Sequence, residues 1–176
     1  MKLRHLPFLL AVTAGLASTA AQAATTGTLR FVGQVNAGTC NLAAGDVNRT
    51  ITLPTIKISD LASTVYAGAH DFNITADCES DIRNVIFLFT GTASNGNDAL
   101  FSNTGTSQGI GLWLADRTGP GHSTIPANGS VPQRSRTIAT SSSKAILPLT
   151  AAYYKTGSAI TQGTLASAVT VSITYN

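Results

Sequence analysis

Apolar and polar residues alternate with a period of two in several stretches of the chain, and helical periodicity is almost absent. Side chains in a strand point alternately to opposite faces, so this alternation predicts half-buried β-strands. The last run, residues 167–176, alternates strictly, whereas residues 85–90 form a nearly continuous apolar run. The first pattern predicts a strand with one face on the core, and the second predicts a central strand buried on both faces.

Further strand-like runs cover residues 72–76, 110–115 and 145–154. The last of these contains Pro148, which indicates a sheet edge or a bulge. A short helical turn is predicted near residues 58–63. Loops rich in Gly, Asn and Ser separate the runs, and about seven short strands at this spacing predict one antiparallel β-sandwich domain.

The N-terminus carries a positively charged start, an apolar run and a small-residue cleavage pattern. The charges are Lys2 and Arg4, and the cleavage pattern ends at Ala23. Together these features predict a secretory signal peptide over residues 1–23. The apolar run is too short to span a bilayer. We therefore expect export and a mature part of one domain that begins at residue 24.

Charge and cysteine content narrow the class of protein further. The net charge is +3, and the predicted signal peptide holds two of the basic residues. The mature part has no basic stripe, so nucleic acid is not an expected partner. Cys40 and Cys78 are an isolated pair in an exported chain, which predicts a structural disulfide. Such a link contributes about 3–4 kcal/mol on the chain-entropy model.

One short motif is typical of a catalytic serine. Ser107 stands in a G-x-S-x-G pattern, which in serine hydrolases lies between a strand and a helix. Here a Gly/Asn/Ser-rich stretch precedes Ser107 and a strand-like run follows it. The mature part offers His70 and His122 as bases. Asp116 lies close to His122 in sequence, unlike the long spacing of an α/β-hydrolase triad, and no metal-ligand spacing is present. We expect no enzyme, cofactor, metal site or small-molecule substrate, with a secreted serine hydrolase as a remote alternative.

The two ends of the mature chain carry distinct patterns. Near the N-terminus, Leu29, Phe31 and Val35 alternate around Gly33 and precede Cys40. The C-terminal part has a penultimate aromatic residue, an alternating apolar row and a glycine fourteenth from the end. These residues are Tyr175, the row Val169, Val171 and Ile173, and Gly163.

Three interior segments complete the pattern: Phe72-Asn73-Ile74, residues 89–93 and residues 114–119. With the two ends and the cysteine pair, they resemble the subunits of chaperone–usher pili, and in particular the major rod pilins of type 1 pili. The resemblance covers essentially the whole mature chain.

The resemblance implies an all-β fold, an incomplete immunoglobulin-like antiparallel β-sandwich that lacks its final strand and is completed in trans by a donor strand. Residues 24–36 would be the N-terminal donor-strand extension, and residues 37–176 the sandwich. Leu29, Phe31 and Val35 would fill pockets in a neighbour, with Gly33 where the groove is shallow. The groove wall read by a chaperone would comprise Gly163, Val169, Val171, Ile173, Tyr175 and Asn176.

The resemblance also implies a function and a location. The chain would be a structural subunit of a surface pilus, would polymerise by donor-strand exchange and would support cell adhesion. Its partners would be identical or related pilin subunits, a periplasmic chaperone and an outer-membrane usher. A minor tip or adaptor subunit of the same fold, binding a ligand directly, is the alternative.

Overall fold

The computed structural model describes residues 28–176. The predicted signal peptide, residues 1–23, lies outside the described residues, as does the start of the predicted extension. The chain divides into two units, Met1–Val35 and Asn36–Asn176. In the first unit, residues 28–35 form neither helix nor strand and have exposed side chains.

The second unit is built almost entirely of strands. Short 3-10 helices span Ala44–Asp46 and Ile58–Leu61, and the four-residue helix α1 spans Val131–Arg134. The strands are β1 (Cys40–Leu42), β2 (Tyr66–Cys78), β3 (Asn84–Gly91), β4 (Ala93–Ser94), β5 (Asn97–Phe101), β6 (Ile110–Asp116), β7 (Ser123–Thr124), β8 (Ser135–Ala139), β9 (Lys144–Lys155) and β10 (Val169–Tyr175).

These strands form two antiparallel sheets. The larger sheet has the order β1-β2-β9-β6-β5-β4, with β7 also paired to β6. The smaller sheet has the order β10-β3-β8. Consecutive strands are joined across the two sheets as well as within them, as in a β-sandwich. The predicted antiparallel sandwich is therefore confirmed.

The core lies between the two sheets and is filled by alternate residues of each strand. Val85, Phe87 and Phe89 project from β3 with no more than 1% exposure, and Leu147 and Leu149 meet them from β9 with 0%. The side chains of β3 that point outward are half-buried. Strand β3 is thus central, as predicted, but only its inner face is fully buried.

Pro148 lies in the interior of the larger sheet, because β9 pairs with β2 on one side and β6 on the other. The prediction of an edge strand was therefore wrong. The Pro148 carbonyl accepts a hydrogen bond from the Arg117 backbone N–H, just beyond the end of β6. The proline nitrogen faces the same side and cannot donate in return, but β6 has already ended at Asp116, so the missing bond lies beyond the end of that strand. The register shift lies instead on β2, between Ala67 and His70.

A tight turn at residues 141–144 joins β8 to β9. Ser141 and Lys144 exchange two backbone hydrogen bonds, of 2.8 and 3.0 Å. The central residues Ser142 and Ser143 both have positive φ, at 50° and 61°. This is the type I′ geometry that favours Asn-Gly, because a side chain at positive φ is strained.

Replacing the second of these serines by glycine should stabilise the domain. We expect Ser143→Gly to raise the free energy of unfolding by up to about 1 kcal/mol, because glycine adopts the left-handed region without strain. Denaturant unfolding measures the change. Ser141→Gly, outside the positive-φ pair, is the control and should destabilise. Equal effects of the two variants would contradict the strain at Ser143.

Candidate functional site

Strand β10 has one paired edge and one open edge. It pairs with β3 along its whole length, and no other strand in residues 28–176 pairs with it. Just beyond β10, Asn176 and Asn84 exchange two backbone hydrogen bonds of 3.2 Å each. Bonded and non-bonded pairs alternate in an antiparallel ladder, so the residues of β10 that bond to β3 are Thr170, Ser172 and Thr174.

The residues between them direct their backbone N–H and C=O groups toward the open edge. They are Val169, Val171, Ile173 and Tyr175, four of the residues that the sequence predicted for a groove wall. The backbone groups of this row therefore point to the open edge, whereas the side chains of Val169, Val171 and Ile173 point to the core face of the sheet.

The side chains of this row are incompletely covered. Val169, Val171 and Ile173 pack against the core but are only half-buried, whereas the neighbouring row on β3 is fully buried. Tyr175, at the far end, is 39% exposed. Strand β1 passes close to β10, and Leu42 of β1 is also half-buried against the core. An apolar strip of the core is thus open beside β10.

The end of β10 is held by the start of β3. The backbone carbonyl oxygen of Asn176 accepts hydrogen bonds from the backbone N–H groups of Arg83 at 2.9 Å and Asn84 at 3.2 Å. These bonds fix the residue that follows the open row.

Gly163 lies apart from the other predicted groove residues. It belongs to the loop between β9 and β10, before β10 begins at Val169. A Cβ added to Gly163 would approach the Ser107 nitrogen to 2.4 Å. The glycine therefore serves a close contact between two loops, a role for which the sequence pattern gave no signal.

The predicted donor residues lie in the first unit and are highly exposed. Leu29 is 83%, Phe31 88% and Val35 99% exposed, and a Cβ added to Gly33 would meet no atom within 4 Å. Val32, which the sequence analysis did not single out, is 89% exposed. Several large apolar side chains exposed within a few residues are typical of a segment that binds a partner.

The start of the second unit is tightly fixed to the sandwich. Cys40 and Cys78 stand directly opposite each other on β1 and β2 and form the predicted disulfide. Two residues earlier, the Gly38 N–H donates to the Asp81 carboxylate at 2.8 Å. A Cβ at Gly38 would lie 2.0 Å from that side chain. Sequence reasoning missed Gly38 and Asp81, because contacts between distant loops leave no local pattern.

The residues considered for a catalytic triad are not brought together. The Ser107 hydroxyl donates to the Thr161 carbonyl oxygen at 2.7 Å, and strand β6 follows where a helix would be required. The His122 ring packs beside Trp113, at 5.7 Å between centroids. Trp113 is buried and donates through Nε1 to Thr124 Oγ1 at 2.9 Å. These groups have structural contacts rather than a nucleophile–base geometry.

Asp116 is instead one half of a buried ion pair that joins the two sheets. It lies at the end of β6, and Arg136 on β8 donates to its carboxylate. Burial opposes the charge and raises the pKa of Asp116. Hydrogen bonds from Arg136 and Thr118 outweigh that effect, so the pKa of Asp116 falls below its usual value.

The described residues contain no group of three or more His, Cys, Asp or Glu side chains that could hold a metal ion. None of the helices within residues 28–176 is long and apolar enough to cross a membrane.

A β-sandwich with an open edge strand and an exposed apolar N-terminal segment is typical of a subunit that assembles with other protein chains. The chain matches the family model described as Fimbrial protein over residues 29–176. The chain belongs to the fimbrial protein family.

Individual relatives agree with the family match. Fimbrial subunit type 1 of Klebsiella pneumoniae is 31% identical over 190 residues, which cover 99% of this chain and 100% of that protein. Type-1 fimbrial protein, A chain, of Escherichia coli strain K12 is 29% identical over 187 residues, with the same coverage. The solved P pilus rod subunit PapA has a TM-score of 0.62 at 19% identity, covering 78% of this chain and 99% of that one. That structure shares the fold.

The chain is a structural subunit of a surface fimbria, and it interacts with other pilin subunits. Its fold is the immunoglobulin-like sandwich expected from the sequence, and it is not an enzyme. The serine hydrolase alternative is therefore excluded, in keeping with the structural hydrogen bond of Ser107.

The ion pair between the sheets predicts a pH-dependent stability. A carboxyl with a lowered folded-state pKa stabilises the fold above its unfolded pKa, and the contribution is lost as the pH falls below about 4. We expect Asp116→Asn to lose about 3 kcal/mol at pH 7, because Arg136 remains without its buried partner. Stability of the variant should depend less on pH below 4, as measured by denaturant unfolding at several pH values.

The control is Asp77→Asn, which removes a half-exposed ion pair with Lys144. An exposed pair contributes little to stability. Similar losses for the two variants at pH 7 would contradict the special role of the buried pair.

Proposed function

We propose that this subunit polymerises by donor-strand exchange, in which residues 24–36 of one copy pair with the open edge of β10 in the next. The observation that carries the proposal is the row Val169, Val171, Ile173 and Tyr175. This row directs unpaired backbone groups toward the open edge, and its side chains are incompletely covered. An added strand would satisfy both at once, as in other cases of β-augmentation.

The N-terminal segment has the complementary pattern. Leu29, Phe31 and Val35 fall on one face of an extended strand because they are separated by even numbers of residues. All three are exposed in the first unit. Burying each side chain would contribute about 1.5–3 kcal/mol, and backbone hydrogen bonds along the strand would fix its register.

Gly33 falls on the same face as the three apolar residues. Open space surrounds it in the single chain, so nothing in its own unit requires a glycine. A requirement for glycine would then come from the neighbour, at a place where the groove is too shallow for a side chain. An extra methyl group there would cost about 1–3 kcal/mol as an overpacking defect.

The open edge is also a reason to expect a periplasmic chaperone and an outer-membrane usher as partners. An unpaired strand edge over an open apolar strip promotes aggregation between subunits. A chaperone strand placed along β10 before assembly would cover it, reading the row up to Tyr175 and Asn176. The usher would then exchange that strand for the extension of the next subunit. Rod and minor subunits would both use this edge.

Removing the largest apolar side chain of the extension should weaken the fibre. We expect Phe31→Ala to lower the stability of each subunit junction by about 3 kcal/mol, because a buried aromatic side chain is lost. Its neighbour Arg30, which points to the opposite face, provides the control Arg30→Ala. Fibres sheared from cells are compared for yield and for resistance to dissociation by denaturant. Equal resistance of the two variants would contradict the donor assignment.

Gly33 supports a separate prediction. Gly33→Ala should leave the unfolding free energy of the single subunit unchanged, because open space surrounds the glycine. Fibre assembly should nevertheless slow by about tenfold or more, in line with a clash of 1–3 kcal/mol. Gln34→Ala, on the other face, is the control. If Gly33→Ala assembles at the wild-type rate, no shallow pocket faces this position.

A further inference from the structure

Two loops at the start of the open edge are joined by a dense set of hydrogen bonds. The first loop leads from β5 to β6, and the second leads from β9 into β10. Backbone hydrogen bonds run from Thr104 to Ala166 at 2.8 Å and from Ser107 to Thr164 at 3.1 Å. We call residues 103–107 together with residues 164–166 the loop clamp.

The side chain of Asn103 is the centre of this clamp. Its Oδ1 accepts from the backbone N–H of Gly105 at 2.8 Å and of Ala166 at 2.9 Å. Its Nδ2 donates to the carbonyl oxygens of Ser107 at 2.8 Å and Thr164 at 3.2 Å. All four hydrogen-bonding positions of the amide are thus used, two within its own loop and two across to the other.

Glycines allow the two loops to approach this closely. A Cβ at Gly105 would lie 2.3 Å from the Thr164 carbonyl oxygen, and a Cβ at Gly163 would lie 2.4 Å from the Ser107 nitrogen. The clash would be with backbone in both cases, so no side-chain rearrangement could relieve it. Gly163, which immediately precedes residues 164–166, therefore permits the close approach of the two loops.

The clamp lies directly before the open edge. Ala166 is three residues from Val169, the first residue of β10 and of the open row. The loop from residue 156 to residue 168 contains no helix or strand, and its hydrogen bonds to Gln108 and Gly109 are made at Thr161 and Thr156, further from β10 than the clamp. Holding residues 164–166 therefore fixes the position at which β10 begins to pair with β3.

We propose that Asn103 is a positioning residue for strand capture, which holds the Val169 end of the open edge ready for an incoming donor strand. This inference rests on the proposed function. Without the clamp, the first residues of β10 would fray from β3, and a donor strand would meet a formed edge in only a fraction of the molecules. The capture rate falls in proportion to that fraction.

The substitution Asn103→Asp tests the proposal with almost no change in shape. The carboxylate keeps both acceptor contacts, but it loses both donors and faces the Ser107 and Thr164 carbonyl oxygens with negative charge. Asn95→Asp introduces the same charge in the exposed turn between β4 and β5, outside the clamp. Ile125→Val, in the buried core, supplies a general destabilisation for comparison.

The experiment uses the mature chain, residues 24–176, and a fluorescent synthetic peptide of residues 24–36. Fluorescence anisotropy follows the rate of peptide capture, and amide hydrogen exchange in the absence of peptide follows Thr170, whose N–H bonds to β3. We expect Asn103→Asp to capture peptide about tenfold more slowly and to exchange faster at the Thr170 amide. Asn95→Asp should behave as wild type, and Ile125→Val should not show the local change in exchange.

Each outcome decides between the two proposals. If the wild-type chain captures no peptide, donor-strand exchange and the role of Asn103 both fail. If the wild type captures peptide and Asn103→Asp matches it in rate and local exchange, only the role of Asn103 fails. If Ile125→Val slows capture as much as Asn103→Asp does at equal unfolding free energy, Asn103 contributes only to the general stability of the domain. That result would overturn the proposal.

Discussion

The unpaired edge of β10 is the constraint on which the rest of the structure depends. Along this edge the backbone hydrogen-bonding groups have no partner strand within residues 28–176, and the apolar side chains of the same four residues are only partly covered. Buried backbone groups without partners cost free energy, and so does apolar surface exposed to water. A single extended strand is the simplest structure that removes both costs. On the proposed function, a strand of another subunit completes this edge.

The remaining contacts keep this edge formed in the absence of its partner. The Asn176 carbonyl, held by Arg83 and Asn84, fixes one end of β10, and the loop clamp around Asn103 fixes the other. The fully buried row of β3 supports the strand along its length. The Cys40–Cys78 disulfide and the Gly38–Asp81 contact fix the point at which the second unit begins. A preformed edge lowers the ordering entropy that capture of a strand would otherwise cost.

The sequence predicted what depends on alternation and composition. The strict period of two in residues 167–176 located β10, because alternation is a local signal. The cysteine pair identified the disulfide, because two cysteines can pair in only one way. The edge position predicted for Pro148 was wrong, because its place in the sheet depends on the pairing of β9 with the distant strand β6. Asn103, Gly163 and Asp81 act through contacts between distant loops, which leave no periodic signal. The short strands β4 and β7 have too few residues for a pattern.

The most direct test of the central claim is amide hydrogen exchange in β10, compared between assembled fibres and single subunits. The amides of Thr170, Ser172 and Thr174 bond to β3 in both states and provide the internal reference. We expect the amides of Val169, Val171 and Ile173 to exchange rapidly in the single subunit and to become strongly protected in the fibre. Rapid exchange of these three amides in the fibre would show that no strand pairs with this edge, and would contradict the account.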